Sequence, residues 1–284
     1  MKPKKVGLAL GGGGARGLAH IGVIKSLEQA GIEISFIAGT SMGALVGGWY
    51  AATKDINSLE NIFLDKDKID RIAKILKKSD GGSLQVKDHI FTDFLGDALK
   101  TKNIEDCKIP FRAITTDIKN GDEVVIKKGN LLEAIRASAA LPIVFHPVSF
   151  DGRLLMDGGF SNPVPADIAK KMGADFVIAV DITSKWLDVS ERQFSWVWLP
   201  SLVSNVLDAA AYQLAKSHME SADVVLQPLV LNFGYFDFKQ PGEIIRAGVR
   251  ETKLNLKKIF GSSGYSEPTK TPFEKFIDFL FYQE

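Results

Sequence analysis

Short apolar runs alternate along the chain with segments in which apolar residues recur every three or four positions. Four runs are expected to form buried strands, at residues 6–10, 35–38, 176–180 and 224–227. Helical periodicity is found at residues 18–30, 44–52 and 163–172. Gly31 and Gly173 follow two of these segments as stop signals. Strands that alternate with helices in this way predict an α/β domain with a largely parallel sheet.

Two dipeptides are strong signals for β-hairpins, Asn-Gly at 120–121 and Asp-Gly at 151–152. Each lies between two apolar runs, which are residues 111–117 and 123–127 for the first, and 144–150 and 153–156 for the second. A hairpin joins antiparallel strands. The predicted sheet is therefore mixed, with a parallel majority.

We expect one domain over residues 4–260, with a charged helical insertion at about 54–106 in which no chemistry is recognised. Residues 261–284 are interpreted as a linker and a C-terminal amphipathic helix, whose apolar residues have helical spacing: Phe273, Phe276, Ile277 and Leu280. A further apolar segment at 194–203 contains two tryptophans, Trp196 and Trp198. Both segments could contact a membrane peripherally, but packing on the protein body is the favoured interpretation.

The composition excludes some classes of partner and site. The chain has 284 residues and a formal net charge of +1, which provides no electrostatic field for binding nucleic acid. Its one cysteine, Cys107, cannot form an internal disulfide, so a cytoplasmic location is expected. No stretch of about 18 uncharged apolar residues predicts a transmembrane helix. Nothing in the sequence indicates an oligomeric state.

A nucleophile-elbow pattern lies between the second predicted strand and the helix that follows it. Gly39-Thr40-Ser41-Met42-Gly43 matches G-x-S-x-G, in which glycines allow a tight turn from strand to helix around an exposed serine. The start of the following helix favours negative charge that develops nearby. Ser41 is therefore the candidate nucleophile, with Gly39 and Gly43 forming the elbow.

A glycine-rich loop, GGGGARG at 11–17, follows the first predicted strand. It formally matches the dinucleotide-binding pattern G-x-G-x-x-G, but such a site needs an acidic residue about 20 positions further on, where this chain has the elbow. We interpret the loop as an oxyanion hole, formed by Gly12, Gly13, Gly14, Ala15 and Arg16. Two roles stay open for the Arg16 side chain, holding the loop or adding positive charge.

The chain has four histidines that might act as a base for Ser41. Three fall where a structural role is expected: His20 in the helix after the glycine loop, His89 in the insertion, and His146 in a predicted strand. His218 would complete the Ser–Asp–His order of the α/β-hydrolases, but that fold has several strands before its elbow. This chain has one, which disfavours the His218 triad.

Asp157 is the better candidate for the base. It ends a predicted strand, and the glycines after it, Gly158 and Gly159, allow a neighbouring loop to approach closely. The ordinary pKa of an aspartate is about 3.9, so it is a weak base near neutral pH unless burial raises its pKa. We therefore expect Asp157 to be partly desolvated. Candidates to line an apolar acyl channel are Leu45, Val46, Trp49, Tyr50, Phe145 and Phe160.

Three motifs, GGGGARG at 11–17, GTSMG at 39–43 and MDGGFSNPVP at 156–165, together resemble the bacterial patatin-like phospholipases. Two further segments are similar to that family, IRASAALPIVFHPV at 135–148 and KKMGADFVIAVDI at 170–182. The resemblance implies a three-layer α/β/α fold, a Ser41/Asp157 dyad without histidine, and the glycine-loop oxyanion hole. It also implies hydrolysis of lipid acyl esters with no metal or cofactor.

Three other functions stay open at this point. A thioesterase or a broad carboxylesterase could use the same two residues, because nothing in the sequence specifies the substrate. A nucleotide-binding module could use the glycine loop for phosphate. A regulatory protein could keep the fold and act by binding alone, although the presence of Ser41 and Asp157 disfavours this.

Overall fold

The computed structural model describes residues 3–77, 89–142, 144–183 and 199–267. The described strands are β1 Val6–Leu10, β2 Ile34–Thr40, β3 Phe111–Asp117, β4 Glu123–Ile126, β5 Val148–Phe150, β6 Arg153–Asp157, β7 Phe176–Val180 and β8 Val224–Leu226. The described helices are α1 Ala19–Gln29, α2 Met42–Thr53, α3 Ile56–Leu64, α4 Lys66–Lys77, α5 His89–Leu99, α6 Leu131–Ser138, α7 Ala166–Lys171, α8 Leu199–Met219 and α9 Pro241–Ser263.

The strands form one sheet in the order β5-β6-β3-β2-β1-β7-β8, and β4 pairs with β3. The central pairs β3/β2, β2/β1, β1/β7 and β7/β8 are parallel. The pairs β3/β4, β3/β6 and β5/β6 are antiparallel. The prediction of a mixed, mostly parallel sheet within an α/β/α fold is therefore confirmed.

Both faces of the sheet are covered, and the strand residues show why. In β1, Leu8 and Leu10 belong to one buried cluster and Ala9 to another. The first cluster holds large side chains of α1, α2 and α9. The second consists mainly of alanines and includes residues of α7. Because successive side chains point to opposite faces, a strand buried on both sides is apolar throughout.

One edge of β3 brings two strand ends together. Ile114 pairs with Thr40 of β2, and the next residue, Thr115, pairs with Asp157 of β6. β4 pairs with the same stretch of β3, so β2 and β6 share the opposite edge. Since β2 runs parallel to β3 and β6 antiparallel to it, their carboxyl ends meet. Ser41, the residue after β2, is thereby placed next to Asp157.

Several local expectations differ from the structure. β5 begins at Val148, so His146 precedes the strand, because Pro147 cannot donate to a ladder. α6 was not predicted by periodicity. α9 continues to Ser263 and stops at Gly264, which has φ of 78°, so the first residues of the predicted linker are helical. Trp196, Trp198 and the terminal apolar residues 273–280 lie outside the described residues.

The predicted insertion contains α3, α4 and α5 in its described part. Within the described ranges, no helix combines the length and the apolar character that crossing a membrane requires.

Candidate functional site

Ser41 occupies a sharp turn between β2 and α2. Its φ of 54° and ψ of −119° are uncommon for a residue with a side chain and indicate local strain. A Cβ atom on Gly39 would lie 2.4 Å from the carbonyl oxygen of Gly43, and one on Gly43 would lie 2.1 Å from that of Leu10. Only glycine fits at these two positions, so the elbow pattern reflects close packing of backbone against backbone.

We expect Gly43→Ala to destabilise the fold by about 3 kcal/mol or more, because the added methyl group overlaps the backbone of β1. Urea unfolding followed by circular dichroism measures this change. Gly96→Ala in α5 is the matched control, since its Cβ would meet only Thr92 Cβ at 3.7 Å and alanine is the better helix former. Equal stability of the two variants would contradict the packing argument.

Ser138 holds the elbow in place and was not singled out from the sequence. The Ser41 N–H donates to Ser138 Oγ over 2.9 Å, and the Ser138 hydroxyl donates to the carbonyl oxygen of Ile114 over 2.5 Å. The side chain therefore ties the turn to β3. The sequence signal for Ser138 is its position inside the family-like segment 135–148.

Ser41 and Asp157 are in direct contact. The Ser41 hydroxyl donates to Asp157 Oδ2 over 2.7 Å, and the two residues are 5% and 3% exposed. The other carboxylate oxygen, Oδ1, accepts from the Gly159 N–H over 2.8 Å. Gly158 is needed because a Cβ there would lie 2.3 Å from the carbonyl oxygen of Ile114. The structure thus joins residues that are 116 positions apart.

Burial raises the pKa of Asp157 to about 6, although the hydrogen bonds from Ser41 and the Gly159 N–H act in the opposite direction. The cause is desolvation of the charged carboxylate. A carboxylate with this pKa is a stronger base than a free aspartate and is still ionised at neutral pH. The expected desolvation of Asp157 is therefore found.

The glycine loop passes beside Ser41, since a Cβ on Gly12 would lie 3.3 Å from the Cβ of Ser41. The Gly12 N–H donates to the Pro163 carbonyl oxygen over 2.9 Å, and the Ala15 N–H to that of Tyr235 over 2.8 Å. Gly13 and Gly14 differ from these two residues, because their N–H groups donate to no acceptor in the described part of the chain. Available N–H groups are thus concentrated at two loop positions.

Arg16 is 8% exposed, and its Nε donates to the carbonyl oxygen of Phe233 over 2.9 Å. This contact joins the glycine loop to the segment that precedes α9. Of the two roles left open for Arg16, this contact supports holding the loop.

An apolar pocket with a cavity volume of about 100 Å³ opens at Ser41 and Asp157. The other lining residues are Gly14, Met42, Leu45, Phe63, Ile72, Ile90, Phe91, Phe94, Leu95, Ala139, Leu141, Phe145, Tyr235, Phe236 and Phe238. Of the six acyl-channel candidates, Leu45 and Phe145 line the pocket. Trp49 donates instead to the Asp55 carbonyl, and Tyr50 to Glu28.

None of the histidines in the described ranges lines this pocket. His20 Nε2 lies 2.8 Å from the Gly11 carbonyl oxygen, and burial lowers its pKa to about 4, so the ring is neutral and donates there. His218 Nδ1 lies 3.3 Å from Oδ1 of Asp167, not of Asp157. The disfavoured Ser–Asp–His triad has no support in these contacts.

Three ligand-type side chains lie close together elsewhere, Glu123, Asp167 and His218, with ligand atoms within 4.8 Å of one another. The Asn162 amide already donates to both carboxylates, and Lys171 pairs with Asp167 over 2.8 Å. The carboxylates thus accept hydrogen bonds from protein donors, and Lys171 balances the charge of one of them. Its residues belong to β4, α7 and α8 and line no part of the pocket at Ser41.

The chain is similar to several known proteins. The family model described as patatin-like phospholipase matches residues 8–170. The patatin-like phospholipase domain-containing protein 6 of Mus musculus is 38% identical over 190 residues, which are 63% of this chain and 14% of that protein. An uncharacterized NTE family protein of Mycobacterium tuberculosis is 37% identical over 220 residues, 72% of this chain and 60% of the relative.

Lysophospholipase NTE1 of Scheffersomyces stipitis is 32% identical in an alignment of 293 positions, gaps included, which covers 94% of this chain and 18% of that protein. The chain therefore spans only part of the length of each of these relatives. Among solved structures, VipD from Legionella pneumophila is similar with a TM-score of 0.53 and 12% identity, covering 91% of this chain and 67% of VipD. At this identity the similarity concerns the fold alone.

Proposed function

Since the chain belongs to the patatin-like phospholipase family, we propose that it is a lipid acyl hydrolase whose nucleophile is Ser41 and whose base is Asp157. The observation that carries the proposal is the buried 2.7 Å hydrogen bond from the Ser41 hydroxyl to Asp157 Oδ2 at the opening of an apolar pocket. A serine with its base in contact and an apolar cavity beside it is what hydrolysis of an acyl ester requires.

In the first step, Ser41 Oγ attacks the ester carbonyl carbon while Asp157 Oδ2 takes the hydroxyl proton. The carbonyl oxygen becomes an oxyanion, and we assign its stabilisation to the N–H groups of Gly13 and Gly14, which have no other acceptor among the described residues. Collapse of this intermediate expels the alcohol, which receives the proton from Asp157. The acyl group remains on Ser41 as an ester.

In the second step, Asp157 takes a proton from water, and the hydroxide attacks the acyl-enzyme carbonyl. The same N–H groups stabilise the second oxyanion. Its collapse releases the carboxylic acid and returns the proton to Ser41. Neither of these two reaction steps requires a metal or a cofactor.

The contacts of the glycine loop also bear on the nucleotide-binding alternative. Gly12 and Ala15 donate their N–H groups to protein carbonyls, and Tyr235 lies directly against Gly14. A phosphate-binding loop would keep more than two successive N–H groups free for the anion. This arrangement favours acyl transfer over phosphate binding.

A substrate panel tests the proposed activity and separates it from that of a thioesterase. We expect fatty acid release from lysophosphatidylcholine with kcat/KM at least about tenfold above that for an acyl-CoA of equal chain length. The reason is that the names of the family and of the Scheffersomyces relative refer to phospholipids and lysophospholipids as substrates. Mass spectrometry of released fatty acid is the measurement, and Ser41→Ala is the blank. The reverse preference would establish a thioesterase, and no release from any ester would contradict the proposal.

A further inference from the structure

The segment 233–238, of sequence FGYFDF, is called the aromatic strap. It lies between β8 and α9, beyond the residues 8–170 matched by the family model. Two of its carbonyl oxygens accept hydrogen bonds from the glycine loop, that of Phe233 from Arg16 Nε over 2.9 Å and that of Tyr235 from the Ala15 N–H over 2.8 Å. The strap therefore holds the loop that contains the proposed oxyanion donors.

The same strap forms one wall of the pocket. Tyr235, Phe236 and Phe238 all line it. The Tyr235 and Phe236 rings meet edge to face at 5.1 Å, and the Phe238 ring stacks on Phe63 at 6.3 Å. Phe236 is 47% exposed, so part of its ring is accessible to a ligand. An acyl chain in the pocket would contact these rings.

Tyr235 is the residue at which the two contacts coincide. A Cβ atom on Gly14 would lie 2.2 Å from the Tyr235 carbonyl oxygen and 2.5 Å from ring atom Cδ1. Both the backbone and the ring of Tyr235 thus rest on Gly14, one of the two loop positions with an available N–H. A shift of the ring toward the glycine loop would displace Gly14, because the two are in close contact.

We propose that Tyr235 is a positioning residue that couples filling of the acyl pocket to alignment of the oxyanion loop. The proposal rests on the hydrolase function proposed above. An acyl chain that packs against the strap presses the Tyr235 ring onto Gly14 and sets the Gly13 and Gly14 N–H groups toward the reacting carbonyl. Part of the binding energy of the chain then appears as a faster chemical step and not only as tighter binding.

The wild-type protein provides the first test, with p-nitrophenyl esters from acetate to octanoate, which share one leaving group. We expect kcat itself to rise about tenfold along the series. This is smaller than the roughly 10²–10³-fold loss of kcat that follows removal of one oxyanion donor, because the loop is realigned and not removed. A kcat independent of chain length, with only KM falling, would overturn the coupling. This outcome leaves the hydrolase proposal intact, whereas no turnover of any ester and no labelling of Ser41 by a fluorophosphonate would overturn both.

Three variants then assign the effect to the Tyr235 ring. In Tyr235→Leu we expect the ratio of kcat for octanoate to kcat for acetate to fall about tenfold, and Tyr235→Phe, which keeps the ring, should restore the wild-type ratio. Phe236→Leu is the comparison variant, because Phe236 lines the pocket but contributes none of the atoms nearest to Gly14; it should raise KM for octanoate without lowering the ratio of kcat for octanoate to kcat for acetate. A loss of kcat in Tyr235→Leu that is equal for all esters would overturn the proposal.

Discussion

Ser41→Ala is expected to lower kcat/KM for a carboxylic ester by about 10⁴-fold or more, the scale seen when the nucleophile of a serine hydrolase is removed. The reason is geometric, since Ser41 Oγ alone combines the strained elbow, the contact with Asp157 and the opening of the pocket. The fold should persist, because the hydrogen bond from the Ser41 N–H to Ser138 Oγ does not involve the removed hydroxyl.

Intact-mass analysis after treatment with a fluorophosphonate is the sharpest measurement. Wild-type protein should gain one adduct, mapped to Ser41, and Ser41→Ala none. Ser149→Ala, which removes an exposed hydroxyl on β5, is the matched control and should react like wild type. An adduct at another serine, or unchanged ester hydrolysis in Ser41→Ala, would remove Ser41 from the mechanism.

Asp157→Asn is expected to lower kcat/KM by about 10⁴-fold and at the same time to stabilise the fold by about 1–3 kcal/mol at pH 7.5. Activity falls because an amide cannot accept the Ser41 proton. Stability rises because the ionised, buried carboxylate is unfavourable in the folded state, where its pKa is about 6 against an ordinary 3.8, and each pKa unit corresponds to about 1.4 kcal/mol.

The pH dependence follows from the same pKa. Between about pH 4 and pH 6 the folded protein holds the Asp157 proton more tightly than the unfolded chain, so the wild-type free energy of unfolding falls as the pH rises through this window. Below it the penalty disappears, and above it the penalty is constant. Activity runs in the opposite sense, because kcat/KM should fall tenfold per pH unit below about 6 as Asp157 becomes protonated.

Urea unfolding of wild type and Asp157→Asn at pH 4 and pH 7.5 measures the stability effect, and ester hydrolysis from pH 4.5 to 8 measures the activity limb. The two proteins should differ in stability at pH 7.5 and converge at pH 4. Asp151→Asn, an exposed carboxyl in the β5–β6 turn, serves as the control for a general charge effect. A less stable Asp157→Asn at pH 7.5 would show that the carboxylate is not desolvated.

Much of the fold could be predicted locally. The apolar runs at 6–10 and 176–180 became β1 and β7 with the predicted bounds, and the Asn-Gly and Asp-Gly pairs became the turns of the β3–β4 and β5–β6 hairpins. These succeed because a strand buried on both faces is continuously apolar and because few residues accept a positive φ, as Gly121 and Gly152 do. The strand at 144–150 was predicted too long, and α6 was missed.

The candidate site residues could also be predicted only in part. Ser41 and Asp157 could be named because the elbow and the Asp-Gly-Gly sequence are constraints of neighbouring residues in the chain. Their contact depends on β2 and β6 each pairing with β3 along the same edge. No local pattern in the sequence encodes this arrangement. The proposed oxyanion loop could be named from the sequence, but its available N–H groups could not, since Pro163 and Tyr235 decide which of them are engaged.

The sequence by itself determined the fold class, the elbow, the glycine loop and the two residues of the proposed dyad, because each depends on the sterics of a few consecutive residues. Only the tertiary structure decided the 2.7 Å contact, the burial that raises the pKa of Asp157, and the apolar pocket. It also placed the aromatic strap, some 200 positions along the chain, against the glycine loop. These properties arise from long-range packing, in which distant segments exclude water together.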